Sequence, residues 1–324
     1  MRHTVTHLGP KAAKGKLFPR VRGRRPASND TRTSRATFWH SLRAEWIKMR
    51  TMRSTLYVIL GALAFNMGLA ALNGSSAGGE YARLSPADQA AFDPLATSLR
   101  GYLVAQIAFG LLGGLVMTSE YGARTIVATL TSVPHRARVL GSKAAVLVGV
   151  ALPVGVLVSL AGFLIGQASL SGAGALHLGL SDGAALRGIF GGGVYLALAG
   201  LFGLALGAVI RSTTATVTTL FGVMLIVQAF APALPGAVGD WVSKFWPPIA
   251  GGRIITAFRD PELLSPWAGL AVMAGCVGAA GGGVHRVPRA RRLARWGQSP
   301  ISRLSALFDR AQVNKVQGVI KVVF

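Results

Sequence analysis

The sequence predicts an all-α membrane protein with six transmembrane helices, both termini inside the cell, and an amphipathic interfacial helix before the first span. Three observations lead to this prediction. Only 14% of the 324 residues are charged and the mean hydropathy is +0.48, which is typical of integral membrane proteins. Six stretches lack charged residues, and the basic residues are distributed unequally between alternate loops.

Each of the six uncharged stretches is long enough to contain a spanning helix, which needs about 20 mostly apolar residues. They cover residues 54–79, 101–119, 144–181, 188–210, 212–239 and 263–285. We therefore expect one transmembrane helix within each stretch, in a domain that covers residues 54–284.

The basic residues determine the expected orientation. With the N-terminus in the cytoplasm, 28 of the 34 Lys and Arg residues lie on the cytoplasmic side, and the opposite loops hold 7 of the 11 acids. By the positive-inside rule, both termini are then cytoplasmic. The net charge of +23 has its simplest explanation in anionic headgroups. Membrane lipids are thus expected partners, and nucleic acid is not.

The two ends of the chain differ from the apolar domain. Residues 1–35 are basic and lack a hydrophobic period, so we expect a disordered arm. A start codon assigned too far upstream explains this arm equally well. Residues 285–324 form a basic cytoplasmic tail. It is either a genuine extension, with a surface helix over residues 301–324, or the product of a changed reading frame near Cys276.

Residues 36–53 have the pattern of an amphipathic helix that lies in the cytoplasmic interface of the membrane. Apolar residues recur at helical spacing, with basic residues between them. The candidate functional residues here are Trp39, Leu42, Glu45, Trp46, Lys48 and Arg50. The alternative is a plain basic anchor, whereas an interfacial helix can also contact a cytoplasmic partner.

The loop between the second and third spans, residues 120–143, is polar and basic. Its candidate residues are Glu120, Tyr121, Arg124, Thr125, Pro134, Arg136, Arg138 and Lys143. A short helix over residues 125–131, ended by Pro134, fits this pattern. The alternative is that these are ordinary positive-inside charges.

Glycine pairs at small-xxx-small spacing predict close contacts between helices. They are Gly110 with Gly114, Gly162 with Gly166, and Gly203 with Gly207. The G-x-S-x-G match over residues 74–78 follows a membrane helix instead of a strand, so it predicts a flexible turn and no catalytic serine. A single cysteine and scattered histidines predict no metal site.

No predicted span carries an ionisable residue near its midplane, which argues against coupling to protons or sodium ions. The chain also lacks the G-x-x-x-x-G-K-[ST] phosphate loop. If the protein is a pump, its motor is therefore another polypeptide.

The order of these features resembles the membrane subunit of type-2 ABC transporters, especially actinobacterial permeases with six spans. The resemblance covers about residues 38–275. It rests on the segment 42–48, on Glu120-Tyr121 at the end of the second span, on the basic loop with Thr125, Pro134, Arg136 and Lys143, and on 264–267 before the last span. The glycine-rich end of the last span departs from the family.

The resemblance implies an ATP-driven exporter in the cell membrane, with a homodimer or heterodimer of permeases and separate ABC ATP-binding subunits. In such transporters the interfacial helix and the loop after the second span contact the ATPase. ATP is then bound by the partner subunit, and this chain holds no cofactor and catalyses no covalent chemistry. The alternative function is a non-transporting membrane anchor or assembly protein that recruits a cytoplasmic partner.

Overall fold

The structure is a computed structural model that describes residues 38–51, 53–122, 136–258, 261 and 263–286. Regular structure in these ranges is helical, without strands. The helices are α1 (Phe38–Thr51), α2 (Arg53–Tyr81), α3 (Pro86–Ala90), α4 (Pro94–Ser98), α5 (Tyr102–Gly122), α6 (Arg136–Gly172), α7 (Gly183–Ile210), α8 (Thr213–Ala233), α9 (Gly236–Phe245), α10 (Pro247–Gly252) and α11 (Pro266–Arg286). The predicted basic arm and nearly all of the predicted tail lie outside the described residues.

Five of these helices, α2, α5, α6, α7 and α8, are long and apolar enough to cross a membrane. They coincide with the first five uncharged stretches, and they give the chain the pattern of a multi-pass membrane protein. The apolar part of α11, Pro266–Gly282, is shorter. The sixth span and the orientation of the termini therefore stay predictions.

Helix α7 lies at the centre of the bundle and packs against α5, α6 and α11. Its apolar window is 78% buried, compared with 17% for that of α2. A helix that is apolar on all sides is suited to such a position. Large side chains of α7 that form the core are Tyr195, Leu196, Phe202, Leu204 and Leu206.

Close backbone contact between α5 and α7 depends on glycine. A Cβ atom on Gly203 would collide with the carbonyl oxygen of Gly110, and one on Gly207 would lie 3.0 Å from that of Gly114. The predicted packing role of these pairs is confirmed. Glycines are also needed in α6, where Gly162 lies against Asn66 of α2 and Gly166 lies against Ser98 of α4.

The prediction of a flexible turn over residues 74–78 is wrong, because α2 continues through this segment to Tyr81. Gly74 and Gly78 are buried there. A Cβ atom on Gly74 would lie 2.8 Å from Gly166 and Ser169 of α6, and one on Gly78 would lie 2.6 Å from Ala173, directly after α6. Each glycine inside a helix costs about 1 kcal/mol relative to alanine. Packing of the glycines of α2 against α6 outweighs this cost.

Helix α8 contains one π-helical segment, Gly222–Ile226. The carbonyl oxygen of Met224 accepts a 3.0 Å hydrogen bond from Gln106 of α5. The carbonyl oxygen of Val223 accepts a 2.9 Å bond from the indole N–H of Trp246, which lies between α9 and α10. Side chains from other elements therefore fix the irregular part of α8.

Two short helices, α9 and α10, follow α8. Trp246 anchors them, since its ring is 1% exposed and packs with Ala231 and Val242. Helix α10 then packs on α11, where Gly269 contacts the carbonyl group of Ala250. These helices thus close the end of the bundle at which α5 begins.

We expect Gly203→Ala to destabilise the protein, because the new methyl group needs space that the Gly110 carbonyl occupies. Overpacking of this kind costs about 1–3 kcal/mol. Thermal unfolding in detergent, followed by tryptophan fluorescence, measures the loss. Gly68→Ala is the matched control, since a Cβ atom there meets nothing within 4 Å. Equal midpoints for the two variants would contradict the packing role.

Candidate functional site

Helices α1, α5 and α6 meet where α5 ends and α6 begins, which we call the Glu120 end of the bundle. The Lys143 ammonium of α6 donates to Glu45 Oε2 of α1 at 2.8 Å and to Glu120 Oε1 of α5 at 2.7 Å. Lys48 of α1 donates to Glu120 Oε1 at 2.9 Å and to Glu45 Oε1 at 3.3 Å. We call these four residues the ion-pair cluster.

The ion-pair cluster is buried on one side and open to solvent on the other. The side chain of Lys143 is 1% exposed and those of both glutamates are 8% exposed, whereas that of Lys48 is 49% exposed. An ammonium group buried without a partner loses several kcal/mol of hydration free energy. The two carboxylates compensate for this loss at Lys143. Within the ion-pair cluster the two positive and two negative charges cancel.

Lys48 stays charged at neutral pH. Partial burial by itself would lower the pKa of the Lys48 ammonium, but its hydrogen bond to Glu120 and the charges of both carboxylates raise the pKa above the ordinary value. The open side of the ion-pair cluster therefore presents a cation to any partner that approaches it.

The local sequence explains why these side chains converge. Glu45 and Lys48 are three residues apart and therefore share one face of α1. That helix packs mainly against α6. Glu120 follows Val116 by one helical turn, and the Val116 carbonyl oxygen also accepts from Lys143 Nζ at 3.5 Å. Lys143 therefore bridges α1 to the last turns of α5.

Four of the predicted site residues thus come together, two from residues 36–53 and two from residues 120–143. Tyr121 adjoins them and is half-buried. The guanidinium of Arg211, at the end of α7, lies 5.8 Å from the centre of the Tyr121 ring, within the range of a cation–π contact. The end of α7 is thereby linked to the same region.

The other predicted residues of α1 differ in their exposure. Trp39 is 73% exposed, Trp46 is 44% exposed and Arg50 is also exposed, whereas Leu42 packs against the core. Trp39, Leu42 and Trp46 line a cavity of about 290 Å³ between α1 and α6. The location of α1 at a membrane interface stays a prediction.

The central part of the predicted loop is not described. Arg124, Thr125 and Pro134, like the predicted short helix over residues 125–131, lie outside the described residues. Arg136 and Arg138 belong to the first turn of α6 by their backbone, but their side chains are likewise outside the description. Their role in the site stays a prediction.

Sequence reasoning assigned Lys143 to a loop and missed its pairing with Glu45. A usable signal was present, because Glu45 is the only acidic residue between residues 31 and 79, and Glu120 is the only one between residues 94 and 181. A lone acidic residue in a strongly basic segment indicates a specific ionic partner, and here that partner is a buried lysine.

The fold and the ion-pair cluster define the class of protein. It is a helical, multi-pass membrane protein in which buried charges join α1 to α5 and α6. Comparison of the chain with protein-family models, with curated proteins and with solved structures found no match. The family resemblance therefore stays an inference from the sequence.

We expect Lys143→Met to destabilise the protein by about 3–5 kcal/mol, because two carboxylates then remain buried together without the lysine. Lys48→Met makes the same change at a half-exposed position, where an ion pair contributes up to about 1 kcal/mol. Denaturation midpoints in detergent distinguish the two outcomes.

A further variant separates loss of pairing from loss of packing. Adding Glu45→Gln and Glu120→Gln to Lys143→Met removes the buried charges altogether, so much of the stability is expected to return. If the triple variant is no more stable than Lys143→Met alone, the ionic account of this site is wrong.

Proposed function

We propose that this chain is the permease subunit of an ATP-driven type-2 ABC transporter, that it exports its substrate, and that a separate ATP-binding subunit supplies the energy. The proposal takes the membrane to be the cell membrane and the Glu120 end to be cytoplasmic. The chain contains no phosphate loop of its own, so ATP is assigned to the partner.

The ion-pair cluster is the observation that carries this proposal. Two segments are expected to contact the ATPase, namely α1 and residues 120–143. Glu45, Glu120 and Lys143 tie these segments together through bonds of 2.7 and 2.8 Å. A displacement of α1 by the ATPase would therefore be passed to α5 and α6, since separation of the charges inside the protein is costly.

The surroundings of the cluster support a contact with a partner at this end. Ile47 of α1 is 53% exposed, and Trp39 and Trp46 are exposed beside it. Tryptophans at such positions suit both lipid headgroups and a protein surface. The ammonium of Lys48, half-exposed at the same end, adds an ionic contact for an acidic group of the partner.

Transmission from α5 into the rest of the bundle follows from the packing. Helix α5 contacts α7 backbone to backbone through Gly110 and Gly203, and Gln106 of α5 is bonded to α8. Closely packed helices move as units and do not deform continuously.

The weakly buried α2 offers an apolar face to lipid, or to the second permease of a homodimer or heterodimer.

The expected ATPase contact is testable by cross-linking, because Cys276 is the only cysteine. In a Cys276→Ala background, Ile47→Cys adds a thiol on α1, and Arg83→Cys adds one in the exposed turn after α2. After co-expression with candidate ABC ATP-binding subunits, we expect a thiol-reactive photo-cross-linker to capture the subunit from Ile47→Cys only. Capture from Arg83→Cys alone would contradict the assigned orientation.

Coupling through the ion-pair cluster is tested with Glu45→Gln, which removes the ionic contact of α1 with Lys143 and keeps the pairs of Glu120 with Lys143 and with Lys48. We expect the ATP-binding subunit to co-purify as before, while the ATP hydrolysis rate of the complex changes by at least about fivefold. The matched control is Glu80→Gln, which removes an exposed carboxylate near the C-terminal end of α2, outside the ion-pair cluster.

Unchanged hydrolysis in the Glu45→Gln complex would show that the pair of Glu45 with Lys143 stabilises the fold without coupling. If no ATP-binding subunit co-purifies with a folded, monodisperse protein, the transporter proposal fails. The function is then that of a non-transporting anchor or assembly protein, and the partner to be sought is another cytoplasmic protein that binds α1.

A further inference from the structure

The cavity of about 290 Å³ between α1 and α6 opens on a helix that is apolar enough to cross a membrane. We call it the α1–α6 groove. It is lined by Trp39, Leu42, Arg43 and Trp46 of α1 and by Ala145, Val146 and Gly149 of α6. The residues from α6 all belong to the apolar segment Val139–Gly172. One wall of the groove is therefore part of a candidate membrane span.

Small residues of α6 create the space in the groove. Ala145 and Gly149 are four residues apart and lie on one face of the helix, where both are exposed. A Cβ atom on Gly149 would meet nothing within 4 Å, whereas one on Gly162 or Gly166 would lie within 3 Å of a neighbouring helix. Within the described chain, Gly149 is thus not required for contact between helices.

The side of the groove that α1 forms combines aromatic rings with a cation. Trp39, Arg43 and Trp46 follow one another at spacings of four and three residues, so they form a stripe along one flank of α1. All three are exposed, and Leu42 beside them packs against the core. The stripe therefore forms an open rim above the apolar wall from α6.

The guanidinium of Arg43 is available to a ligand, because the nearest acids in the fold have other partners. Glu45 and Glu120 pair with Lys48 and Lys143. In the part of the chain that the structure describes, Arg43 makes no ion pair and no hydrogen bond. An arginine in this state can bind phosphate with charge-assisted, often bidentate hydrogen bonds.

We propose that the α1–α6 groove binds one anionic phospholipid. The phosphate of its headgroup lies at Arg43, between the rings of Trp39 and Trp46. One of its acyl chains lies over Ala145 and Gly149, along α6. The inference goes beyond the proposed function and does not depend on it, because lipid binding requires no ATP-binding subunit.

Charge and location favour this occupant over others. Among the described residues, the lining of the groove has one cation and no acid, so it complements an anion. The apolar wall favours a ligand with a hydrocarbon chain over a small soluble anion. Tryptophans are typical of the level at which headgroups and acyl chains meet. A zwitterionic lipid carries a cation of its own, which Arg43 repels.

The groove and the open side of the ion-pair cluster lie on different flanks of α1. Arg43 and Lys48 are five residues apart, which separates them by about 140° around an α-helix. The bond of 2.8 Å between Glu45 and Lys143 holds α1 on α6 only two residues before Ala145. The ion-pair cluster therefore keeps the two walls of the groove together before a lipid arrives.

Native mass spectrometry of the full chain, purified in detergent and titrated with lipid, tests the proposal. It counts the bound lipids and gives the affinity for the first one. We expect dioleoyl-phosphatidylglycerol to bind about fivefold more tightly than dioleoyl-phosphatidylcholine, because only the first lipid is anionic. Equal affinity would overturn the anionic part of the proposal. If neither lipid binds saturably, the groove belongs to a protein partner and the proposal fails.

A change of charge tests the position of the headgroup. Arg43→Gln is expected to weaken binding of phosphatidylglycerol by about fivefold, with a smaller effect on phosphatidylcholine. The matched control is Arg50→Gln, which removes an exposed arginine of the same helix that does not line the groove. The control is expected to keep wild-type affinity. An equal loss in both variants would indicate diffuse attraction to α1 and overturn the defined site.

A change of shape tests the position of the acyl chain. Gly149→Leu fills the groove, so we expect both lipids to bind at least about fivefold more weakly. Gly61→Leu is the control, because a Cβ atom on Gly61 also meets nothing within 4 Å and Gly61 does not line the groove. Ala145→Leu repeats the test one turn earlier. Full affinity in variants that unfold at the wild-type midpoint overturns the site.

Discussion

The cost of burying charge is the constraint on which this end of the molecule depends. Lys143 lies seven residues into α6 and is almost completely buried, so it needs counterions that α6 itself does not provide. They come from α1 and α5, at sequence separations of 98 and 23 residues. One buried ammonium group thus determines how three separate helices are arranged, and it makes α1 part of the folded bundle.

The rest of the bundle is held by contacts of a different kind. Between α5 and α7 the absence of side chains at Gly110 and Gly203 brings two backbones together, and dispersion forces increase with such proximity. Buried amides, such as Gln106, fix α8 in its rotational setting. Ionic, steric and hydrogen-bonding constraints therefore succeed one another along α5, from Glu120 through Gly110 to Gln106.

The sequence predicts those features that depend on local composition. Uncharged stretches predicted the five long apolar helices, and glycine spacing predicted the contacts of Gly110 and Gly203. Prediction from the sequence failed where the structure depends on contacts between residues that are distant in the chain. The glycines at 74 and 78 suggested a turn, because their burial against α6 is not visible locally. Lys143 was grouped with loop residues for the same reason, since its partner Glu45 is 98 positions away.

The π-helical segment of α8 has a consequence for the evolution of this protein. Such a segment accommodates one residue more than regular winding would allow, and each residue of an α-helix advances by about 100°. Deletion of one residue between Gly222 and Ile226 would therefore restore regular winding and leave the residues beyond it facing as they do now, whereas a deletion in a regular part of α8 would rotate them by that angle. Gln228 would then still face Gln106. Loss of one residue at this point therefore keeps the contact between α8 and α5, whereas loss of one from the regular helix before it breaks that contact.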